Sequence, residues 1–262
     1  MAQPATTAAT NTSTTKPTIV LTHGIWHSPL TYSKFTSALR AAGYDVHVPF
    51  LPSCTGARPP KASLPEDTQL VRRLVEMLCD QGRTVIMVMH SYGGVVGCNA
   101  LKGLGAKKGG GVAHLVAVAA HLHPVGFGIL DLVREMGNKD LIPVAFDIAP
   151  DGSCMSKNVR ASLFNDLANE AEANALMRTL SRANLDCMEA KVQFEAWKHI
   201  PLTYVHTTAD MTLPPHYQKR ILEKMEKAKV KAKVVEMDSG HSPYVTKTDE
   251  LVALVEKVAA HP

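Results

Sequence analysis

The chain has 262 residues, 28 of them Lys or Arg and 24 Asp or Glu, for a formal net charge of +4. That length buries a sizeable core, and so weak a basic excess, with no basic block interleaved with aromatics, excludes the usual footprint of a nucleic-acid partner. Hydrophobic residues make up 45% of the chain, yet no uninterrupted apolar run reaches the roughly 18 residues of a membrane span, so a membrane partner is not expected either.

Residues 1–16, MAQPATTAATNTSTTK, are rich in Ala, Thr and Ser. They have neither a basic stretch before an apolar core nor any arginine, so they read as a disordered tail rather than a targeting segment. The sequon at Asn11 is then idle. Five cysteines (Cys54, Cys79, Cys98, Cys154 and Cys187) are odd in number and widely spaced, with no CxxC pair. They fit reduced thiols in a cytoplasmic protein and imply no metal.

Past the tail, strand-like and helix-like segments alternate. Pro17 to Thr22 is a short apolar, β-branched strand that ends at His23-Gly24. Thr31 to Ala42 places Tyr32, Phe35 and Leu39 on one helical face, with Gly43 as its stop. Tyr44 to Phe50 alternates like a strand. Ser63-Leu64-Pro65-Glu66 has the capping-box form, and Leu70, Val71, Leu74, Val75 and Leu78 follow at helical spacing. Thr84 to Met89 is wholly apolar, as in a strand buried on both faces. A small-residue helix, Val95 to Leu104, and an apolar strand, Val112 to Ala120, come next. Residues 123–198 show helical periodicity and no clear strand, so they read as a helical cap inserted into the core formed by 17–122 and 199–262. Strand and helix resume at Pro201 to His206, Pro215 to Ala228 and Val230 to Met237, with a last helix from Asp249 to Ala259. The expected fold class is α/β: a mostly parallel sheet of about six strands with helices on both faces and an inserted helical cap. Lys229, Lys231 and Lys233 alternate with Val230, Ala232 and Val234, as on a sheet-edge strand facing water.

The chemistry concentrates where strands end. His90-Ser91-Tyr92-Gly93-Gly94 breaks the apolar strand and opens the small-residue helix. A serine on such a turn exposes its hydroxyl at the carboxyl edge of the sheet, toward a helix N-terminus. The usual pattern is GxSxG; here Met89 stands at the first glycine. Ser239-Gly240-His241-Ser242-Pro243 follows the last strand and offers His241 as a base for that hydroxyl. An acid must orient the histidine. Asp210, just past the strand PLTYVH, is the first candidate, and Asp238, three residues before His241, the second. The loop His23-Gly24-Ile25-Trp26 supplies one backbone N–H for an oxyanion, at Ile25, and Tyr92 supplies the other. Gly24, Trp26 and Ser242 are the expected pocket residues. His121-Leu122-His123 lacks an acid or cysteine at ligand spacing and reads as structural.

Together the segments IVLTHGIWHSP, IMVMHSYGG, YVHTTADMTLPPHYQ and DSGHSPYV resemble the α/β-hydrolase superfamily over about residues 17–260. The likeness is to its small capped branch, which holds plant methyl-ester esterases and hydroxynitrile lyases, and to uncharacterised fungal and bacterial hydrolases. The resemblance implies Ser91 as nucleophile, Asp210 as acid, His241 as base, and Ile25 and Tyr92 as oxyanion donors, with no cofactor. The expected activity is serine hydrolysis of an ester, thioester or lactone of a small apolar compound. The alternatives are a carbon–carbon lyase on a carbonyl compound and a non-catalytic small-molecule receptor. In the lyases of this branch a lysine follows the catalytic histidine and a threonine precedes the oxyanion donor. This chain has Ser242 and Gly24 at those positions.

Overall fold

The computed structural model describes residues 16–261, so the expected tail lies outside the described residues except for Lys16. Lys16 belongs with the folded domain: its ammonium donates to Ala42 O at 2.6 Å and lies over the Tyr44 ring.

In chain order the first half of the core comprises β1 (Thr18–Thr22), α1 (Ser33–Ala41), β2 (Val46–His47), α2 (Leu64–Asp80), β3 (Thr84–His90), α3 (Gly93–Ala100) and β4 (Gly111–Val118). A long excursion then carries α4 (Ile129–Glu135), α5 (Ile142–Ala145), β5 (Phe146–Ile148), β6 (Ser153–Ser156), α6 (Val159–Leu163), α7 (Glu170–Met177), β7 (Ala183–Asn184) and α8 (Asp186–Glu189). The core resumes with β8 (Leu202–Thr207), α9 (Pro215–Lys227), β9 (Lys233–Met237), α10 (Pro243–Thr246) and α11 (Thr248–Ala259).

Six strands form one sheet in the order β2-β1-β3-β4-β8-β9, every neighbouring pair parallel. Parallel pairing needs a crossover between strands, and the helices supply it. The central strands are buried along nearly their whole length, which is why β3 and β4 read as continuous apolar runs. The capping box that opens α2 forms, with Ser63 N–H donating to Glu66 Oε2 at 2.8 Å. Because all six strands run the same way, their carboxyl ends share one edge, where ligands bind in open α/β sheets.

Three differences from the sequence reading have physical causes. The segment Tyr44 to Phe50 keeps strand pairing only at Val46–His47, because β2 is an outer strand that meets β1 alone. The strand expected from Val230 begins at Lys233; Lys229, at φ +60°, closes the turn after α9, and its exposed lysines border the open edge of the sheet. The excursion is not wholly helical, since β5, β6 and β7 form a three-stranded antiparallel sheet. Strands of two to four residues are too short to display period-two alternation. Their turn is set by Gly152 at φ +81° and by Asp151 Oδ1, which accepts from the Ser153 N–H and hydroxyl. Among the described residues no helix is long and apolar enough to cross a membrane.

Candidate functional site

Ser91, Asp210 and His241 follow β3, β8 and β9 at the common carboxyl edge. Ser91 sits at φ +53°, a backbone conformation that costs an L-residue about 1–3 kcal/mol and persists only where its surroundings enforce it. Glycines enforce it here. A Cβ on Gly93 would run into Thr22 O, and one on Gly94 would meet His121 O at 2.7 Å, so the start of α3 lies directly against the backbone at the end of β1 and beyond β4. The departure at Met89 has its own accommodation. A Cβ on Gly97, one turn into α3, would lie 2.5 Å from Met89 Sδ. The space lost to a methionine in the strand is returned by a glycine in the helix.

Asp210 is completely enclosed in hydrogen bonds. Its Oδ1 accepts from the N–H groups of Thr212 and Leu213, both at 2.8 Å. Its Oδ2 accepts from Thr207 Oγ1 at 2.9 Å, from Gln218 Nε2 at 3.3 Å and from His241 Nδ1 at 2.8 Å. A carboxylate only accepts, so Nδ1 of His241 carries the proton and Nε2 of the neutral ring keeps its lone pair. Nε2 is buried and has no hydrogen-bond partner among the described residues. It is therefore not yet bonded to Ser91 Oγ, as is common before a substrate draws base and nucleophile together. The rival acid, Asp238, is exposed and accepts from Thr208 Oγ1 at 3.2 Å rather than from His241.

The loop after β1 lies against Ser91. A Cβ on Gly24 would lie 3.2 Å from Ser91 Cβ and 2.9 Å from His90 Nδ1, so only glycine fits. The backbone N–H groups of Ile25 and Tyr92 donate to no other group among the described residues. The other two expected pocket residues lie at the seam between core and cap. Trp26 packs its indole against Phe146 at 5.6 Å between ring centres, and its carbonyl accepts from Ser181 N–H at 2.8 Å. Ser242 donates its hydroxyl to Leu163 O at 2.6 Å and is fully buried.

Several residues around this site left no sign in the sequence. Gly24 N–H donates to Tyr32 Oη at 2.9 Å, Tyr32 donates to His90 Nδ1 at 2.6 Å, and His90 Nε2 donates to His241 O at 2.9 Å. The carbonyl at the end of that chain can only accept, which fixes the His90 tautomer. Burial holds His90 far below the ordinary histidine range, so it stays neutral and the chain stays intact. His27 donates from Nδ1 to Ile25 O at 2.7 Å and accepts at Nε2 from Tyr244 Oη at 2.9 Å; burial lowers its pKa to about 3. Asp67, buried on α2, accepts from Ser53 Oγ at 2.5 Å and from Tyr92 Oη at 2.7 Å, and so holds the ring of the residue that follows Ser91. Desolvation raises its pKa. Asp67 is one of two acids in the first turn of α2, and nothing in the sequence marks it out. Its burial was the missing information.

All five cysteines are unpaired, and burial pushes the thiols of Cys98 and Cys187 up to about 12, which leaves them poor rivals to Ser91 as nucleophiles. His121 Nδ1 lies 3.1 Å from His123 Nε2, and burial lowers the pKa of His121 to about 3. Among the described residues no group of three or more His, Cys, Asp or Glu side chains is placed to hold a metal ion.

The model of the Alpha/beta hydrolase family matches residues 19–254. A protein of Phoma sp. named as a probable hydrolase is 28% identical over 248 residues, covering 94% of this chain and 99% of its own. Among solved structures, a pyrethroid hydrolase from Sphingobium faniae superposes with a TM-score of 0.74 at 19% identity, over 94% of this chain and 98% of that one. A methylesterase from Arabidopsis reaches a TM-score of 0.74 at 17% identity, over 94% of this chain and all of the other.

Proposed function

The chain belongs to the Alpha/beta hydrolase family, and from that premise we propose that it is a serine hydrolase that opens an ester, thioester or lactone of a small apolar compound through an acyl-enzyme on Ser91. The observation that carries the reading is the Asp210–His241 hydrogen bond of 2.8 Å at the same sheet edge as Ser91 on its strained turn. His241 Nε2 takes the Ser91 proton as Oγ attacks the acyl carbon. The oxygen of that carbonyl gains negative charge as it moves toward the N–H groups of Ile25 and Tyr92, which need abandon no other partner to receive it. Asp210 stabilises the imidazolium that results. His241 then protonates the departing alcohol or thiol. Water, activated by the same nitrogen, releases the acid from Ser91.

The names of the similar proteins support an ester substrate with an apolar part, since one is a pyrethroid hydrolase and another a methylesterase. A cyanohydrin lyase is disfavoured by two positions. Gly24 offers no side chain, and the Ser242 hydroxyl is already committed to Leu163 O. Neither can hold a departing cyanide as an ammonium would. Labelling the purified protein with a fluorophosphonate and mapping the modified peptide tests the nucleophile; modification at Ser91 is expected, and labelling elsewhere would move the active serine. Run side by side near neutral pH, short p-nitrophenyl esters should be hydrolysed while mandelonitrile stays at background. Faster cyanide release than ester hydrolysis would reverse the assignment. Binding without turnover would favour a receptor.

A further inference from the structure

One five-residue stretch of the cap grips both loops that carry the acid and the base. It runs from Ser162 to Asp166, across the end of α6. Thr212 Oγ1 donates to Ser162 O at 2.8 Å and Asn165 Nδ2 donates to Ala209 O at 2.9 Å, on either side of Asp210. Ser242 Oγ donates to Leu163 O, beside His241. Asp166 makes the densest contact. Its Oδ2 accepts from Gly240 N–H at 2.7 Å, from Thr246 Oγ1 at 2.8 Å and from Ser239 Oγ at 3.0 Å. A Cβ on Gly240 would lie 2.5 Å from Asp166 Oδ1, so the carboxylate rests directly on the backbone of the base loop.

The loop between β9 and α10 has no ladder of its own to hold it. Gly240, the residue before the base, has the widest backbone freedom of any residue. A carboxylate that accepts three hydrogen bonds there is a strong local restraint, because bonds to an ionised acceptor are about twice as strong as neutral ones. We infer that Asp166, a cap residue, is a positioning residue for the base: by holding the N–H of Gly240 it keeps the His241 ring on Asp210 and within reach of Ser91. The inference rests on the reading of His241 as base. It makes the cap a part of the reaction geometry as well as a cover over it.

Alanine, asparagine and glutamate variants at position 166 of the full chain test this, by ester kinetics, melting temperature and the downfield proton NMR signal of the His241 Nδ1–H bound to Asp210. Asp166→Ala should lower kcat about 10–100-fold, with KM changed less than about threefold, because a displaced base is paid for in the chemical step. Asp166→Asn keeps an oxygen for Gly240 N–H, with its NH2 group in place of Asp166 Oδ1, an atom that has no hydrogen-bond partner among the described residues. It should return kcat to within about threefold of wild type. Asp166→Glu moves the carboxylate by one methylene and should lower kcat about 5–10-fold with KM kept, which decides the matter if the alanine variant does not fold. The downfield signal should be sharp in the wild type and Asp166→Asn and broadened in Asp166→Ala and Asp166→Glu. Wild-type kcat in either of those two, an asparagine variant as damaged as the alanine one, or an unmoved signal would overturn the inference. If the wild type neither turns over esters nor takes up fluorophosphonate, the acyl-enzyme reading fails alone, and the NMR signal still decides the role of Asp166.

Discussion

Around α3 the molecule is packed too closely for added side chains: a Cβ on Gly93 or Gly94 would strike the backbone of Thr22 or His121, and one on Gly97 the side chain of Met89. The cap is assembled differently. Its helices are four to eight residues long, and its surface is laced with ion pairs: Arg182 with Asp147, Arg160 with Glu170, Arg134 with Glu189 and Lys191 with Asp131. Each such exposed pair contributes about 0–1 kcal/mol. A steric fit made of main chain admits almost no substitution, whereas a shell of weak surface contacts admits many. Ser91 therefore sits in the part that cannot vary, and the cap surface is the part that can.

That contrast is sharpest at the nucleophile. Ser91→Ala should cost on the order of 10⁶ in kcat on an ester, as triad removals do, while leaving the melting temperature unchanged. Retention of a tenth of the activity would remove Ser91 from its role. Next comes the acid: Asp210→Asn should cost on the order of 10⁴, and Asp238→Asn less than about threefold, both read as kcat/KM. A large loss at Asp238 instead would transfer the acid to the exposed side of the loop.

Stability should separate the two regions in the same way. Gly93→Ala forces a methyl group against Thr22 O and should cost about 3 kcal/mol or more in denaturant unfolding. A tolerant Gly93→Ala would show the turn to be looser than its packing indicates. Acidification should act next, and on the core. His23 is lowered to about 4 and His27 and His121 to about 3 by burial. Each is neutral in the fold and titrates near 6.5 when unfolded, so the unfolded state binds more protons below that pH. Their stabilisation is full above pH 6.5 and is lost as pH falls toward 4 and then 3. From pH 7 to 5 the loss should be about 1–2 kcal/mol for each, seen as a falling melting temperature. A flat profile would mean that these rings take up protons in the fold as readily as in the unfolded chain. The smallest effect belongs to the cap surface: Glu170→Gln, which breaks the pair with Arg160, should change stability by less than about 1 kcal/mol.

The sequence by itself determined the parts whose signals are local. Alternating strands and helices, the capping box at Ser63, the strand-turn-helix around Ser91 and the loop positions of Asp210 and His241 all show in runs of a few neighbours, because propensity, periodicity and turn chemistry act between residues close in the chain. Only the tertiary structure decided the rest. The Tyr32–His90 bond spans 58 positions, Asp166–Gly240 spans 74, and His27–Tyr244 spans 217. Nothing in the sequence marks Asp67 or Asp166, whose partners come from distant segments, and the short strands of the cap carry too few residues to display a period. Contacts made by folding distant segments together leave no trace in either neighbourhood, and for the same reason Met89 looked like a defect until α3 brought Gly97 beside it.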